Sequence, residues 1–347
     1  MDEVEIAGRK VGRGHPCLVV GEMSANHDQD LQQALHLIDV AADAGCDAIK
    51  LQTYTADTLT LPTTHASARI DKVWGAPTLH ELYGRGTMPY EFHAPLFARA
   101  KERGMIFFSS AYEETSVDYL EKLDVPAYKI ASFELVHLPL LKHVAQTKKP
   151  VVLSTGMATL AEVEEGLEML ESNGCSQVIL LHCCSSYPAN PADVNLAAMN
   201  TLATAFGKPV GFSDHTVGSA TPIAAVALGA CMIEKHYTND STRKGPDHRF
   251  SADPAELTRM IQGIREAEAA RGTGRKRMAA SEAENRLVGR RSIFTTTALE
   301  PGQIVESSML RVVRPGSGLH PRYLAQIVGR PARRKIPANW PITWDDV

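Results

Sequence analysis

The chain has 347 residues, 44% of them hydrophobic and 22% charged, with 36 Lys and Arg set against 40 Asp and Glu for a formal charge of -4. This is the balance of a globular protein with room for one large domain and a small one; it excludes extended disorder and leaves no overall basic footprint for nucleic acid, although the C-terminal part is locally basic. No run approaches the roughly 18 apolar residues of a membrane span, and Met1-Asp2-Glu3 leads into no basic-then-apolar leader, so a cytoplasmic protein with no membrane or nucleic-acid partner is expected.

A short hairpin is expected first, Val4 to Ile6 with a turn through Gly8 to Gly14. Strand-like apolar runs and helical patterns then alternate. The strands are read at Leu18 to Gly21, Ala48 to Gln52, Ile106 to Ser109, Ala127 to Ala131, Val151 to Ser154, Val178 to His182, Val210 to Ser213 and Met232 to Lys235. Between them, Leu31 to Ala44, Tyr90 to Arg103, Leu160 to Ser172 and Ala255 to Arg271 carry apolar residues at three- and four-residue spacing, with Asp253 as an N-cap and Gly45, Gly104 and Gly174 as stops. Near-continuous apolar strands alternating with helices predict an α/β fold of the (β/α)8 TIM-barrel type over residues 1–271, and no glycine-rich phosphate turn follows the first strand to favour an open doubly wound sheet. The polar stretch 272–288 reads as a linker, and residues 289–347, with β-type runs at Ser292 to Thr296 and Leu310 to Val313, as a small β-rich domain. The six cysteines form no CxxC pair and lie mostly in apolar runs, which argues against a disulfide framework or a cysteine metal site.

Lys50 and Lys129 each sit at the end of a buried strand, where an ammonium is costly unless an anion meets it. In a barrel, ligand-facing residues gather at the C-terminal ends of the strands. Glu22, Lys50, Gln52, Ser110, Lys129, Ser132, Glu134, Ser154, Ser185, Tyr187, Ser213, His215 and His236 all hold such positions, so the chain reads as an enzyme acting on an anionic ligand.

The segments Glu22-Met23-Ser24-Ala25-Asn26-His27, Lys50-Leu51-Gln52-Thr53-Tyr54, Tyr128-Lys129-Ile130-Ala131-Ser132-Phe133-Glu134, Ser154-Thr155-Gly156-Met157, Ser213-Asp214-His215-Thr216 and Glu234-Lys235-His236 closely resemble the sialic acid synthase family. Arg314-Pro315-Gly316 with Gly318-Leu319 is similar to that family's antifreeze-like (SAF) domain, and the segments at Met23 to His27 and Ile130 to Glu134 are most similar to the pseudaminic acid synthase branch. The resemblance implies condensation of phosphoenolpyruvate with an open-chain N-acetylated amino sugar to give a nonulosonic acid and phosphate, with Mn2+ or Mg2+ as the metal. It further implies a homodimer in which the SAF domain is swapped over the neighbour's barrel.

By the same resemblance Lys50, Lys129, Ser110, Ser132, Ser154, Ser185 and Ser213 would hold phosphoenolpyruvate, and His215 and His236 the metal. Glu22 and Glu134 would hold sugar hydroxyls or exchange protons, Gln52, Tyr187 and Asp247 would contact the sugar, and Arg314 would reach its N-acetyl end from the partner. Departures at Ser110-Ala111-Tyr112, Met88-Pro89 and Ala338-Asn339-Trp340-Pro341 leave these residues in place and bear on the sugar. Legionaminic or N-acetylneuraminic acid synthesis is the nearest alternative. A 3-deoxy-octulosonate 8-phosphate-type synthase would need a second cationic cluster and no SAF domain, and a silent sugar-binding scaffold would not need both lysines and both histidines.

Overall fold

Alternate residues along eight short strands face two different surroundings, and that alternation both closes the sheet and builds its two ends. The computed structural model describes residues 3–63, 65–70 and 76–347. They form two compact units, Met1–Gly272 and Thr273–Val347. The first begins with an antiparallel hairpin of β1 (Glu3–Ile6) and β2 (Arg9–Gly12). It continues as a closed parallel barrel of β3 (Leu18–Glu22), β4 (Ala48–Thr53), β5 (Ile106–Ala111), β6 (Tyr128–Ile130), β7 (Val151–Ser154), β8 (Val178–Cys183), β9 (Val210–Asp214) and β10 (Met232–His236), with β10 returning to pair with β3. The expected α/β barrel is the fold observed.

One set of strand residues, among them Val19, Ile49, Phe107, Tyr128, Leu153 and Ile233, packs into a core with the surrounding helices. The other set, including Leu18, Val20, Ala48, Phe108, Val152 and Met232, fills the barrel interior and meets Val4, Ile6 and Val11 of the hairpin. The hairpin therefore seals the N-terminal end of the barrel with hydrocarbon. Two residues further along the same inward faces the chemistry changes: Val20 is followed by Glu22, Ala48 by Lys50, Phe108 by Ser110, Ala127 by Lys129, Val152 by Ser154 and Met232 by Glu234. A period-two strand turns this alternation into an apolar floor with a polar layer above it. Gly211 occupies an inward position where a Cβ would lie 2.5 Å from the Met232 carbonyl oxygen and 2.6 Å from a Leu181 methyl, so only glycine lets these strands approach.

Around the barrel, α1 (Leu31–Ala44) starts at Asp30, whose carboxylate accepts from the amides of Gln32 and Gln33. The insertion after β4 carries α2 (Ala56–Leu59) and α3 (Leu79–Gly86). The segment expected as one helix over Tyr90 to Arg103 is instead a 3-10 turn, Tyr90–Phe92, followed by α4 (His93–Glu102). Restarting at His93 places Pro95 in the first turn, where its missing N–H removes no intrahelical bond. The remaining helices are α5 (Glu114–Lys122), α6 (Leu138–Gln146), α7 (Leu160–Ser172), α8 (Ala198–Phe206), α9 (Ala220–Ala227) and α10 (Pro254–Arg271), the last capped by Asp253, which accepts from the Glu256 amide at 2.8 Å.

The second unit pairs β11 (Ser292–Thr295) with β12 (Leu310–Val313) and has its own core of Ile293, Leu299, Val305, Leu310, Ile327, Ile336 and Ile342. The stretch 272–288, read as a linker, is not irregular throughout: α11 (Ala283–Gly289) begins within it and ends just beyond it, ahead of β11, and α12 (Leu324–Ile327) follows β12. Among the described residues no helix is long and apolar enough to cross a membrane.

Candidate active site

The polar layer is organised around a carboxylate that the sequence reading passed over. Glu234, third residue of β10, is 3% exposed and places Oε1 3.2 Å from Lys50 Nζ and Oε2 3.4 Å from Lys129 Nζ. Ser213 donates to its Oε1 at 3.1 Å from the neighbouring strand. Lys50 is also 3.1 Å from Glu22 Oε2 and donates to Ser110 Oγ at 3.1 Å. Two ammonium groups thus share one buried anion, which is the condition for keeping them charged away from water.

Electrostatics then separates the carboxyls. Burial alone would raise Glu234, but Lys129 and Lys50 outweigh it and hold its pKa at about 2. Glu22, wholly buried and repelled by Glu234, is pushed up to about 7 by burial despite Lys50, and burial likewise lifts Glu134 to about 7 against the pull of Lys129. Burial disfavours the Lys50 ammonium, yet Glu22 and Glu234 reverse this and its pKa lies above the ordinary lysine value. Lys129 is shifted downward by burial, which Glu234 only partly offsets and Lys50 reinforces. One carboxylate is therefore fixed as a counter-ion while two others are poised to exchange protons near neutrality.

Beside the lysines lies a cradle of small groups. Ser132, in the turn after β6, accepts from the Gly156 amide at 2.9 Å and lies 3.1 Å from Cys183 Sγ. A Cβ on Gly156 would collide with Ser185 Oγ and approach Cys183 Sγ and Ser132 Oγ to 2.8 Å, so glycine keeps this pocket of donors open. Ser154 Oγ at the end of β7 is buried without a hydrogen-bond partner, as is Glu134 Oε2. Buried polar atoms left without partners at the mouth of a barrel mark a surface built to meet a ligand.

Across from them, His236 ends β10 and His215 follows β9, with ring centroids 5.4 Å apart. Burial lowers the His215 pKa to about 4 and takes that of His236 well below the ordinary value, so both imidazoles are neutral. His215 Nδ1 lies 2.8 Å from the Cys184 carbonyl oxygen, which can only accept; Nδ1 therefore carries the proton and Nε2 keeps its lone pair. His236 Nδ1 is buried without a partner. Among the described residues no group of three or more His, Cys, Asp or Glu is placed to hold a metal. The donor set is thus two neutral imidazoles with available lone pairs, which fits a divalent ion that completes its shell with water and substrate oxygens. Tyr187 packs its ring 4.3 Å from His215, and Phe250 lies 5.3 Å from His236.

A cavity of about 550 Å3 opens over these groups. Lys50, Gln52, Lys129, Ser132, Glu134, Ser154, Ser185, Tyr187, Ser213, His215, His236 and Asp247 all line it. Glu22 and Ser110 do not: both are fully buried and sit behind Lys50, so their contacts orient the lysine. Gln52 donates to Glu22 Oε1 at 2.8 Å and to Ser24 Oγ at 3.1 Å, and Ser24 bonds to Asp247, so two of the sugar-contact candidates, Gln52 and Asp247, belong to one hydrogen-bonded chain. Arg314 is an exposed residue of the second unit, just after β12. Glu234 was legible in principle, because it stands two residues before His236 on one strand and must share its face. Tyr54, Leu59, Leu79, Leu82, Tyr83 and Tyr112, which line the same cavity, carried no such signal, since the positions of loop residues depend on contacts made elsewhere.

Residues 37–276 match the NeuB family and residues 290–347 match the SAF domain. The pseudaminic acid synthase of Helicobacter pylori is 37% identical over 96% of this chain and 98% of its own length. The N,N'-diacetyllegionaminic acid synthase of Legionella pneumophila is 38% identical over 97% and 96%. Among solved structures, the spore coat polysaccharide biosynthesis protein SpsE of Bacillus subtilis superposes with a TM-score of 0.67 at 37% identity, covering 99% of both chains. An N-acetylneuraminic acid synthetase from Leptospira borgpetersenii in complex with citrate gives 0.73 at 33% identity, covering 82% of this chain and 94% of its own.

Replacing Glu234 by Gln removes the anion shared by the two lysines. Loss of one partner of a buried ion pair costs about 3–5 kcal/mol. The thermal unfolding midpoint of Glu234→Gln should fall accordingly and recover on adding inorganic phosphate by more than the wild type gains. Equal phosphate stabilisation of both proteins would show that Glu234 does not balance these lysines.

Proposed function

We propose that this chain, which belongs to the NeuB family, is a phosphoenolpyruvate-dependent nonulosonate synthase acting on an N-acetylated amino sugar, and that the sugar is the 2,4-diacetamido-2,4,6-trideoxyhexose precursor of pseudaminic acid. The observation that carries the enzymatic reading is the Lys50–Glu234–Lys129 arrangement beside a hydroxyl cradle, opening into a cavity that two neutral imidazoles also line. Support for the pseudaminic branch comes from the segments at Met23 to His27 and Ile130 to Glu134. A legionaminic or N-acetylneuraminic acid synthase is the second reading, favoured by a legionaminic acid synthase relative of equal similarity.

Phosphoenolpyruvate carries a carboxylate and a phosphate. Lys50 and Lys129, with only Glu234 permanently ionised between them, leave net positive charge for such a ligand; Ser132, Ser154 and Ser185 supply directed donors, and Ser213, which donates to Glu234, lines the cavity beside them. A divalent ion, Mn2+ or Mg2+, held by His215 and His236 would supply Lewis-acid polarisation of the sugar aldehyde. C3 of phosphoenolpyruvate bonds to the aldehyde carbon, whose oxygen takes a proton and becomes a hydroxyl. Water adds at C2 and loses a proton, and C–O cleavage expels phosphate. Glu134, lining the cavity with a pKa near 7, is placed to carry one of these protons, while Glu22 acts from behind Lys50. Gln52 and Asp247 hold sugar hydroxyls.

The assembly we propose is a homodimer in which the partner's SAF domain brings Arg314 to the N-acetyl end of the sugar. A monomeric mass by sedimentation at micromolar concentration would remove that role.

Phosphate release from phosphoenolpyruvate with Mn2+ should be seen with the 2,4-diacetamido-2,4,6-trideoxyaltrose precursor in preference to its legionaminic counterpart and N-acetylmannosamine, and should stop on adding EDTA. Preference for another sugar moves the branch; absence of release with all three refutes the synthase reading. In Glu134→Gln, the rate should fall by about 10²–10⁴-fold and the ionisation near pH 7 should vanish from the kcat profile. A retained ionisation would assign that proton to another group.

A further inference from the structure

The cavity has two chemically distinct halves. The half made by the strand ends and the turns that follow them holds the charged residues that line it among the described residues, Lys50, Lys129, Glu134, Glu234 and Asp247, together with the histidine pair. The other half comes from the insertion after β4 and the residues flanking it. There Leu59 of α2 and Leu79 and Leu82 of α3 stand with the rings of Tyr54, Tyr83 and Tyr112, and among the described residues the insertion adds no charged side chain to the cavity lining. The ring of Tyr54 meets Tyr112 edge-on at 5.2 Å and Tyr83 at 6.1 Å.

This wall is held in place rather than merely lying near. Gln29 donates to the carbonyls of Gly84 at 3.0 Å and Thr87 at 2.9 Å, tying the end of α3 to the loop after β3. His80 on α3 lies 2.8 Å from Asp57 on α2. Gly86, the last residue of α3, has no room for a Cβ, which would lie 2.7 Å from the Tyr54 hydroxyl oxygen. The leucines are half-buried and line the cavity, so they present apolar surface to it.

The position of this wall determines what it can contact. β10, which ends in His236, and β9, which His215 follows, lie across the barrel from β6 and β5, and the insertion joins β4 to β5. The leucines and the histidines line one cavity, so a sugar that fills it with its aldehyde at the histidines brings its non-reacting end to the leucines. From this, and resting on the synthase reading above, we infer that Leu59, Leu79 and Leu82 form the specificity-determining wall of the sugar site and select an amino sugar whose far end is methyl-terminated, a 6-deoxy and acylamino hexose, over one ending in a hydroxymethyl group. A hydroxyl placed against three leucines loses water without gaining a partner, whereas a methyl group loses nothing.

Two methyl sources share this chemistry, the C6 methyl and the methyl of a 4-acylamino group, and paired substrates separate them. The measurement is kcat/KM for phosphate release with Mn2+ for the 2,4-diacetamido-2,4,6-trideoxyhexose, its 6-hydroxy counterpart and its 4-hydroxy counterpart. A single methyl-to-hydroxyl change in an apolar pocket is worth roughly 10- to 100-fold, and that preference is expected in the wild type for at least one pair. Leu79→Gln and Leu82→Gln should reduce it to below about threefold while the KM for phosphoenolpyruvate stays unchanged, and Leu82→Met should retain it. The pair whose ratio collapses identifies the methyl that the wall receives. Turnover with both wild-type ratios near one, or glutamine variants that slow every sugar equally, overturns the wall while leaving the synthase reading standing; no turnover of any sugar overturns both.

Discussion

Two ammonium groups buried within one barrel repel each other, and the geometry of the polar layer follows from how that repulsion is met. Glu234 answers it by placing one oxygen towards each lysine. Because the carboxylate is shared, neither lysine is fully neutralised, and the pair keeps an excess of positive charge facing the cavity. A second anion there gains from both lysines at once, at short range and in a medium that screens poorly. Incomplete balancing of its own charges thus leaves the protein a cavity suited to an anion.

The same arrangement sets the protonation of its neighbours. Glu234 is held ionised, while burial lifts Glu22 and Glu134 to near neutrality. Three glutamates of identical intrinsic acidity acquire two different roles through their distances from two cations. The histidines are neutral for the complementary reason: buried close to each other and to Lys50, the second imidazole gains nothing by charging. Neutral imidazoles, an ionised counter-ion and proton-exchanging carboxyls coexist because the barrel closes hydrocarbon beneath them.

That floor is the hairpin. Val4, Ile6 and Val11 pack against inward residues one step below the lysines, so water reaches the polar layer from the cavity side. The insertion after β4 then supplies an apolar wall to the same cavity. In the proposed reaction, charge at the strand ends meets the anionic reactant and hydrocarbon on the insertion meets the sugar. This division fits a barrel whose strands fix the chemistry and whose loops adjust the substrate.

The sequence by itself determined the barrel, because period-two and helical spacings are local and eight apolar runs alternating with helices leave few topologies. It also determined most strand-end side chains of the site: Lys50, Lys129, Ser154, Ser213 and His236 follow from counting along strands. Tertiary structure alone decided that Lys50 and Lys129 share Glu234, that Ser110 and Glu22 stand behind a lysine instead of on the cavity wall, and that Leu59, Leu79 and Leu82 reach the site at all. The division has one physical cause. Side-chain direction on a strand repeats every two residues and can be read from spacing, but which charges meet across a barrel, and where an insertion folds back, depend on contacts between residues far apart in the chain.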